Sequence, residues 1–257
     1  MRTRLRYRLC VCAAAATIAV LCSASLVAHW HWRSTRALLD VVTLPLSVEP
    51  CTDLARFGGD GDGGKLLCGV HNLPPGCVVY SLGSRNDFSF EAAVLAATPC
   101  KVATFDCTVD GAERPRDARL SFHRQCLGDE PGQFSIAQLA EANGDAHIDI
   151  LKMDIEGGEH SVFASLRAHA AAAAAAAERG GRGRGGEDSL LPDQIVFELH
   201  AWDASETARV AALWSSVFAL GYRIAAREDN PTHPGCAEFT VVRVLAPFDY
   251  RHGGRSR

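Results

Sequence analysis

Asp154 and Glu156 stand two residues apart where an apolar run ends, in HIDILKMDIEGGEH (residues 147–160). The run Ile148–Met153 is interrupted only by Asp149 and Lys152, and Gly157-Gly158 follows the acids. A buried strand closing on carboxylates and glycines, with a helical pattern after it, places polar groups at the crevice of an open α/β sheet. Such carboxylates could bind a ligand or accept a proton, or they could cap the next helix through its exposed N–H groups.

Two earlier strand ends carry related chemistry. CVVYSL (77–82) runs into Gly83-Ser84-Arg85, and KVATF (101–105) ends on Asp106. Strand, glycine turn and helix form a cofactor-binding opening. Gly83 and Asp106 are 23 positions apart, near the ~20 that separates such a turn from an acid on a ribose hydroxyl. The full G-x-G-x-x-G is missing, which disfavours a dinucleotide. QIVFEL (194–199) brings Glu198 to a further strand end, with His200 just beyond it.

The elements that position these residues follow from periodicity. Strands are predicted at 77–82, 101–105, 120–123, 148–153, 194–199, 222–228 and 238–245. Helices are predicted over Phe88–Thr98, Phe134–Glu141, from Glu159 onward, and over Asp203–Leu220. The connection from Cys107 to Ala118 shows no helix. The loop between the last two strands allows antiparallel pairing. The expected fold is Rossmann-like α/β, a seven-stranded, mostly parallel sheet closed by an antiparallel pair.

The 257 residues suffice for one such domain, here 51–250. The alanine run and the glycine–arginine tract that follows it mark a low-complexity insertion at 168–188. Six arginines within residues 1–36 meet no acid there, so the net charge of −4 leaves −10 for the remainder. That acidic body disfavours a nucleic-acid partner. Residues 9–28 carry no charge, long enough for a membrane span. The basic tail 1–8 before them predicts a cytosolic N-terminus and a type II anchor. The stem 29–50 then leads to a lumenal domain, and 251–257 forms a basic tail. A cleaved signal peptide is the alternative.

Ten cysteines include no C-x-x-C pair, so no metal site is expected. Cys51 and Cys68 bracket the glycine loop GGDGDGGK (58–65) and suit a disulfide. The seven cysteines beyond the anchor are odd in number, so at least one stays unpaired. Asp60-Gly61-Asp62 spells the D-x-D by which glycosyltransferases hold a metal and a nucleotide sugar.

The motifs in order resemble S-adenosylmethionine-dependent methyltransferases. ILKMDIEGGE resembles the D-x-E-G signature of the FkbM-type family, and RFGGDGDGGK, YSLGSRNDFSFE, FELH and REDN are similar to its membrane-anchored eukaryotic branch. The resemblance covers about residues 51–245. It implies that Gly83, Ser84 and Arg85 approach the methionine end of S-adenosylmethionine, that Asp106 binds the ribose, and that Cys126 and Leu127 flank the adenine. Asp154 would lie beside the methionine moiety or the acceptor. Glu156, Glu198 and His200 would face the acceptor, with a carboxylate or His200 as general base for a hydroxyl. The acceptor would be a glycan, a lipid or a small molecule, and the location the Golgi or another secretory membrane. Gly83-Ser84-Arg85 differs from the G-x-G of many methyltransferases, which leaves open a non-catalytic binding module. A metal-dependent glycosyltransferase is the other alternative.

Overall fold

The computed structural model describes residues 51, 53–61, 63–178, 190–202, 204–233 and 235–244, with the short paired strands at 248–249 and 254–255. The expected tail 1–8, anchor 9–28 and stem 29–50 lie outside the described residues, as do 179–189 of the insertion and most of 251–257. Among the described residues no helix is long and apolar enough to cross a membrane.

Seven strands form the main sheet: β3 (Val78–Leu82), β4 (Lys101–Phe105), β5 (Leu120–His123), β6 (Ile150–Met153), β7 (Gln194–His200), β8 (Tyr222–Asp229) and β9 (Cys236–Arg243). Their order is β5-β4-β3-β6-β7-β9-β8, parallel except that β9 runs against both β7 and β8. The chain moves outward from β3 to β5, then returns to lay β6 against β3. Open sheets bind ligands beyond the carboxyl ends of strands at such a reversal. All seven predicted strands and the antiparallel ending are present.

Helices α1 (Ser89–Ala97), α2 (Ile136–Asn143), α3 (Glu159–Glu178) and α4 (Thr207–Ala219) connect the strands. Ser135 and Gln138 form a reciprocal capping box that starts α2. The alanine run extends α3 to Glu178, as alanine's high helix propensity predicts. β4 and β5 are joined without a helix, again as predicted.

A hairpin of β1 (Leu54–Phe57) and β2 (Lys65–Cys68) was not foreseen. Its strands have four residues each and surround a glycine-dense turn, so neither shows a readable alternation. A disulfide joins Cys51 to Cys68, the expected pair. Gln194 exchanges two hydrogen bonds with the Cys68 backbone, and the Thr240 hydroxyl donates to the Leu66 carbonyl at 2.6 Å. These bonds dock the hairpin on β7 and β9.

The core has two halves because strand residues alternate between faces. Tyr80, Leu82, Leu151, Met153, Ile195, Phe197 and Phe239 pack with α2, α3 and α4. Val79, Ile150, Val196 and Val242 pack with α1 and the hairpin. Lys152 and Asp154 share the parity of Ile150, Glu198 that of Val196, and Glu238 that of Val242. The face covered by the hairpin is therefore apolar along the strands and charged at the edge where β6 and β7 end and antiparallel β9 begins.

Candidate functional site

The turns after β3, β4 and β6 enclose a crevice of about 320 Å³. Gly83, Ser84, Arg85, Asp106, Cys126, Leu127, Asp154 and Glu156 all line it. Glu198 and His200 do not line it; both are buried beside it, at the end of β7.

Gly83 lets the first two walls meet. Its φ is +77°, and a Cβ there would lie 1.9 Å from the Asp154 carbonyl oxygen. Neither the left-handed backbone nor the close approach suits another residue. Buried Lys152 donates to the Gly83 carbonyl from below. Arg85 and Asn86 continue the turn with φ of 49° and 62°.

Asp106 braces that turn. One carboxylate oxygen accepts from the Ser84 and Arg85 amides at 2.8 Å, the other from the Thr108 amide at 2.8 Å and hydroxyl at 2.6 Å. Burial works against its charge, but the Thr108 hydroxyl and these backbone amides outweigh it and lower its pKa. With the Ser84 hydroxyl also donating at 3.4 Å, Asp106 shapes the crevice through hydrogen bonds to the chain itself.

Cys107 follows β4 and Cys126 follows β5, and a disulfide joins the two in the crevice wall. Cys77–Cys100 is a second crosslink, at the opposite ends of β3 and β4, and Cys236 is free and buried. Replacing both Cys107 and Cys126 with Ser is expected to weaken cofactor binding about tenfold and destabilise the domain by about 2–4 kcal/mol. The Cys77/Cys100 double serine variant should lose similar stability but keep its affinity. Calorimetry with thermal denaturation compares them, and equal affinity losses would show that the wall bond has no local role.

Asp154 does not cap the next helix. Glu159 closes the turn that leads into it: its two oxygens accept from the Ile155 amide at 2.9 Å and the Gly157 amide at 3.0 Å. Asp154 instead accepts from Lys65 Nζ at 3.2 Å, and Lys65 also donates to Glu238. Burial raises the Asp154 pKa, but the Lys65 and Lys152 ammoniums more than offset it, so its carboxylate is held ionised. Glu156 has a left-handed backbone, φ 54°, and its side chain is 67% exposed at the crevice. Backbone strain in a non-glycine residue is often retained at functional sites.

Behind Glu156, His200 Nε2 lies 3.6 Å from Glu156 and 3.5 Å from Glu198, and Nδ1 lies 3.4 Å from Glu159. Burial disfavours the imidazolium, but Glu159, Glu198 and Asp154 prevail and push His200 up to about 9. Burial also raises Glu198, against a 2.9 Å hydrogen bond from Asn230, and pushes Glu238 up to about 7.

Lys65, Glu238 and Thr108 were missed as site residues. Lys65 ends a glycine tract read only as a loop, and Glu238 lies inside a strand without a local motif. Lys152 was visible as the charge that interrupts an apolar run. Of the D-x-D triplet, Asp60 is exposed in the hairpin turn and Asp62 lies outside the described residues.

Sheet order and crevice together define a Rossmann-like methyltransferase fold. The family described as "Methyltransferase domain" matches residues 47–166, a span that holds Gly83, Asp106 and Asp154. Among solved structures, the chain is similar to the fibrillarin/Nop5p complex, with TM-score 0.40, 14% identity, and 66% of this chain and 74% of that one covered. It is similar to a mutant 16S rRNA (adenine(1408)-N(1))-methyltransferase from Catenulisporales acidiphilia, at TM-score 0.38 and 13% identity, covering 77% of this chain and 100% of that one. It is also similar to Aeropyrum pernix fibrillarin with natively bound S-adenosyl-L-methionine, at TM-score 0.35 and 14% identity, covering 76% and 84% respectively. No curated protein sequence matches the chain.

Proposed function

We propose that the chain is an FkbM-type methyltransferase that moves a methyl group from S-adenosylmethionine to a hydroxyl of a glycan, lipid or small molecule. The observation that carries this is the convergence of Gly83, Asp106 and Asp154, from three strand ends, on one crevice within the matched span.

The residues suit the cofactor. Phe105 and Leu127 offer apolar walls for a purine, Gln125 and Gln133 offer amides, and Asp154 and Glu156 offer negative charge for a sulfonium and an ammonium. Bound S-adenosylmethionine supplies an electrophilic methyl group. The protein's task is then alignment and proton removal. The Gly83-Ser84-Arg85 turn, braced by Asp106, holds the methionine end, and Asp106 faces the ribose. Asp154 neutralises the ammonium. Cys126 and Leu127 flank the base.

Glu156 is the general base for the acceptor hydroxyl. It combines exposure with a place on the crevice wall. His200 is held protonated at neutral pH and is a poor proton acceptor there. Glu198 stands one layer behind and orients His200. Trp202, exposed and 5.1 Å from the His200 ring, gives the acceptor an aromatic face.

The same reading places the domain in an oxidising lumen, anchored through residues 9–28 as a type II protein of the Golgi or another secretory membrane. The disulfides Cys51–Cys68, Cys77–Cys100 and Cys107–Cys126 support such a compartment. Calorimetry with S-adenosylmethionine tests the cofactor. The folded chain should bind it, and Asp106→Ala should bind at least tenfold more weakly because the Ser84 and Arg85 amides lose their acceptor. A folded chain that binds no S-adenosylmethionine would refute the assignment.

A further inference from the structure

Beside the acceptor side of the crevice lies a buried cluster of charges that the roles given to Asp154 and Glu198 leave unexplained as a group. One oxygen each from Asp154, Glu198 and Glu238 lies within 4.8 Å of the other two. Carboxylates so close disfavour one another's ionisation unless a cation joins them. Oxygen ligands converging in this way commonly take up a divalent metal. Here a cation from the chain is already in place. Lys65 is 0% exposed, its Nζ is 3.2 Å from Asp154 Oδ2, and it donates to Glu238 Oε1. Its remaining N–H capacity also lies within this buried acidic setting.

The hairpin is built to deliver that ammonium. The turn from Gly58 to Gly64 is closed so tightly that a Cβ at Gly64 would lie 1.9 Å from the Gly59 carbonyl oxygen. At Gly58, with φ +99°, a Cβ would lie 2.6 Å from the Gly63 carbonyl. The turn sets Phe57 opposite Lys65, at the first position of β2. The Cys51–Cys68 disulfide and the bonds to Gln194 and Thr240 then fix β2 against β7 and β9. Lys65 enters from this covering layer, over the sheet face that presents Asp154, Glu198 and Glu238.

We propose that Lys65 is the resident cation of this centre, occupying the place of a divalent metal and holding Asp154 and Glu238 so that methyl transfer needs no metal. Lys65 is a positioning residue, acting on donor and acceptor through Asp154. The statement about methyl transfer rests on the methyltransferase reading, whereas the cation's occupancy of the carboxylate centre does not.

Titration of the full chain with Mn²⁺, followed by calorimetry and thermal denaturation, tests the occupancy. The wild-type chain should show no binding at this centre and no shift in melting temperature. Lys65→Ala vacates the space and leaves the carboxylates uncompensated, so it should bind Mn²⁺ at least tenfold more tightly, and a second change, Asp154→Asn, should remove that gain. Should Lys65→Ala be unstable alone, Mn²⁺ should raise its melting temperature by several degrees. Wild-type binding at the centre, abolished by Asp154→Asn, would overturn the proposal. So would a Lys65→Ala chain with no response to Mn²⁺.

The functional arm uses the methyl-transfer rate. Wild-type turnover should be unchanged after exhaustive chelation, and Lys65→Ala should lose at least tenfold in kcat and recover part of it with Mn²⁺, a rescue that a purely structural lysine would not show. A chelator-sensitive wild type would overturn the proposal. Absence of any methyl transfer would refute the methyltransferase reading, while the Mn²⁺ binding arms would still decide the cation's place.

Discussion

Glu156→Gln should lower kcat for methyl transfer by about 10²–10⁴-fold, the range for loss of a positioned general base, with little change in cofactor affinity. Glutamine keeps the size and hydrogen-bonding reach of the side chain and removes only its ability to take a proton. The neighbouring groups are poorly suited to replace it. Asp154 is tied to Lys65, with a pKa held low, and is correspondingly a weak base. Glu198 is 4% exposed and bound by Asn230. His200 is kept cationic by Glu159 and Glu198. The backbone strain of Glu156 adds a second readout. Glu156→Gly relieves a left-handed φ of 54° and should leave the fold at least as stable while abolishing turnover. Steady-state kinetics with melting curves check both. A Gln variant with wild-type kcat would transfer the proton-accepting role to another group.

Asp154→Ala should weaken S-adenosylmethionine binding about 10–100-fold, the loss expected for a charge-assisted hydrogen bond of about 1.5–3 kcal/mol. It should also destabilise the domain, because Lys65 is fully buried and loses one of its carboxylates. Orphaning a buried charge completely costs about 3–5 kcal/mol. Glu238 remains bound to Lys65, so the expected loss falls below that range. Calorimetric titration and chemical denaturation separate the two effects. A folded variant with unchanged donor affinity but slow turnover would place Asp154 on the acceptor side.

Much of the sheet was legible because its signals are local. Buried parallel strands read as short apolar runs, and acids stand out where those runs stop. Gly83 was legible for a similar reason, since a glycine between strand and helix marks a turn. The purpose of each acid was less so. Asp106 was expected to face a ribose; the structure places it on the crevice wall and adds that it also braces the Ser84-Arg85 turn and Thr108, contacts set by where the turns lie after folding. Asp154 and Glu156 were equally readable as helix caps; in the fold Asp154 pairs with Lys65 instead, and Glu159 ties the turn before α3.

The sequence by itself determined the seven strands of the main sheet, its mostly parallel pairing with an antiparallel ending, and the placement of Gly83, Asp106, Asp154 and Glu156 at strand ends. Periodicity and turn chemistry act over a few residues, so they can be read from neighbours. Only the tertiary structure decided which carboxylates are paired and which are free. Lys65 meets Asp154 across 89 positions and Glu238 across 173. His200 is charged because Glu159 and Glu198, from different elements, surround it. Burial and Coulomb interactions depend on distance in space, and the chain encodes that distance only by folding.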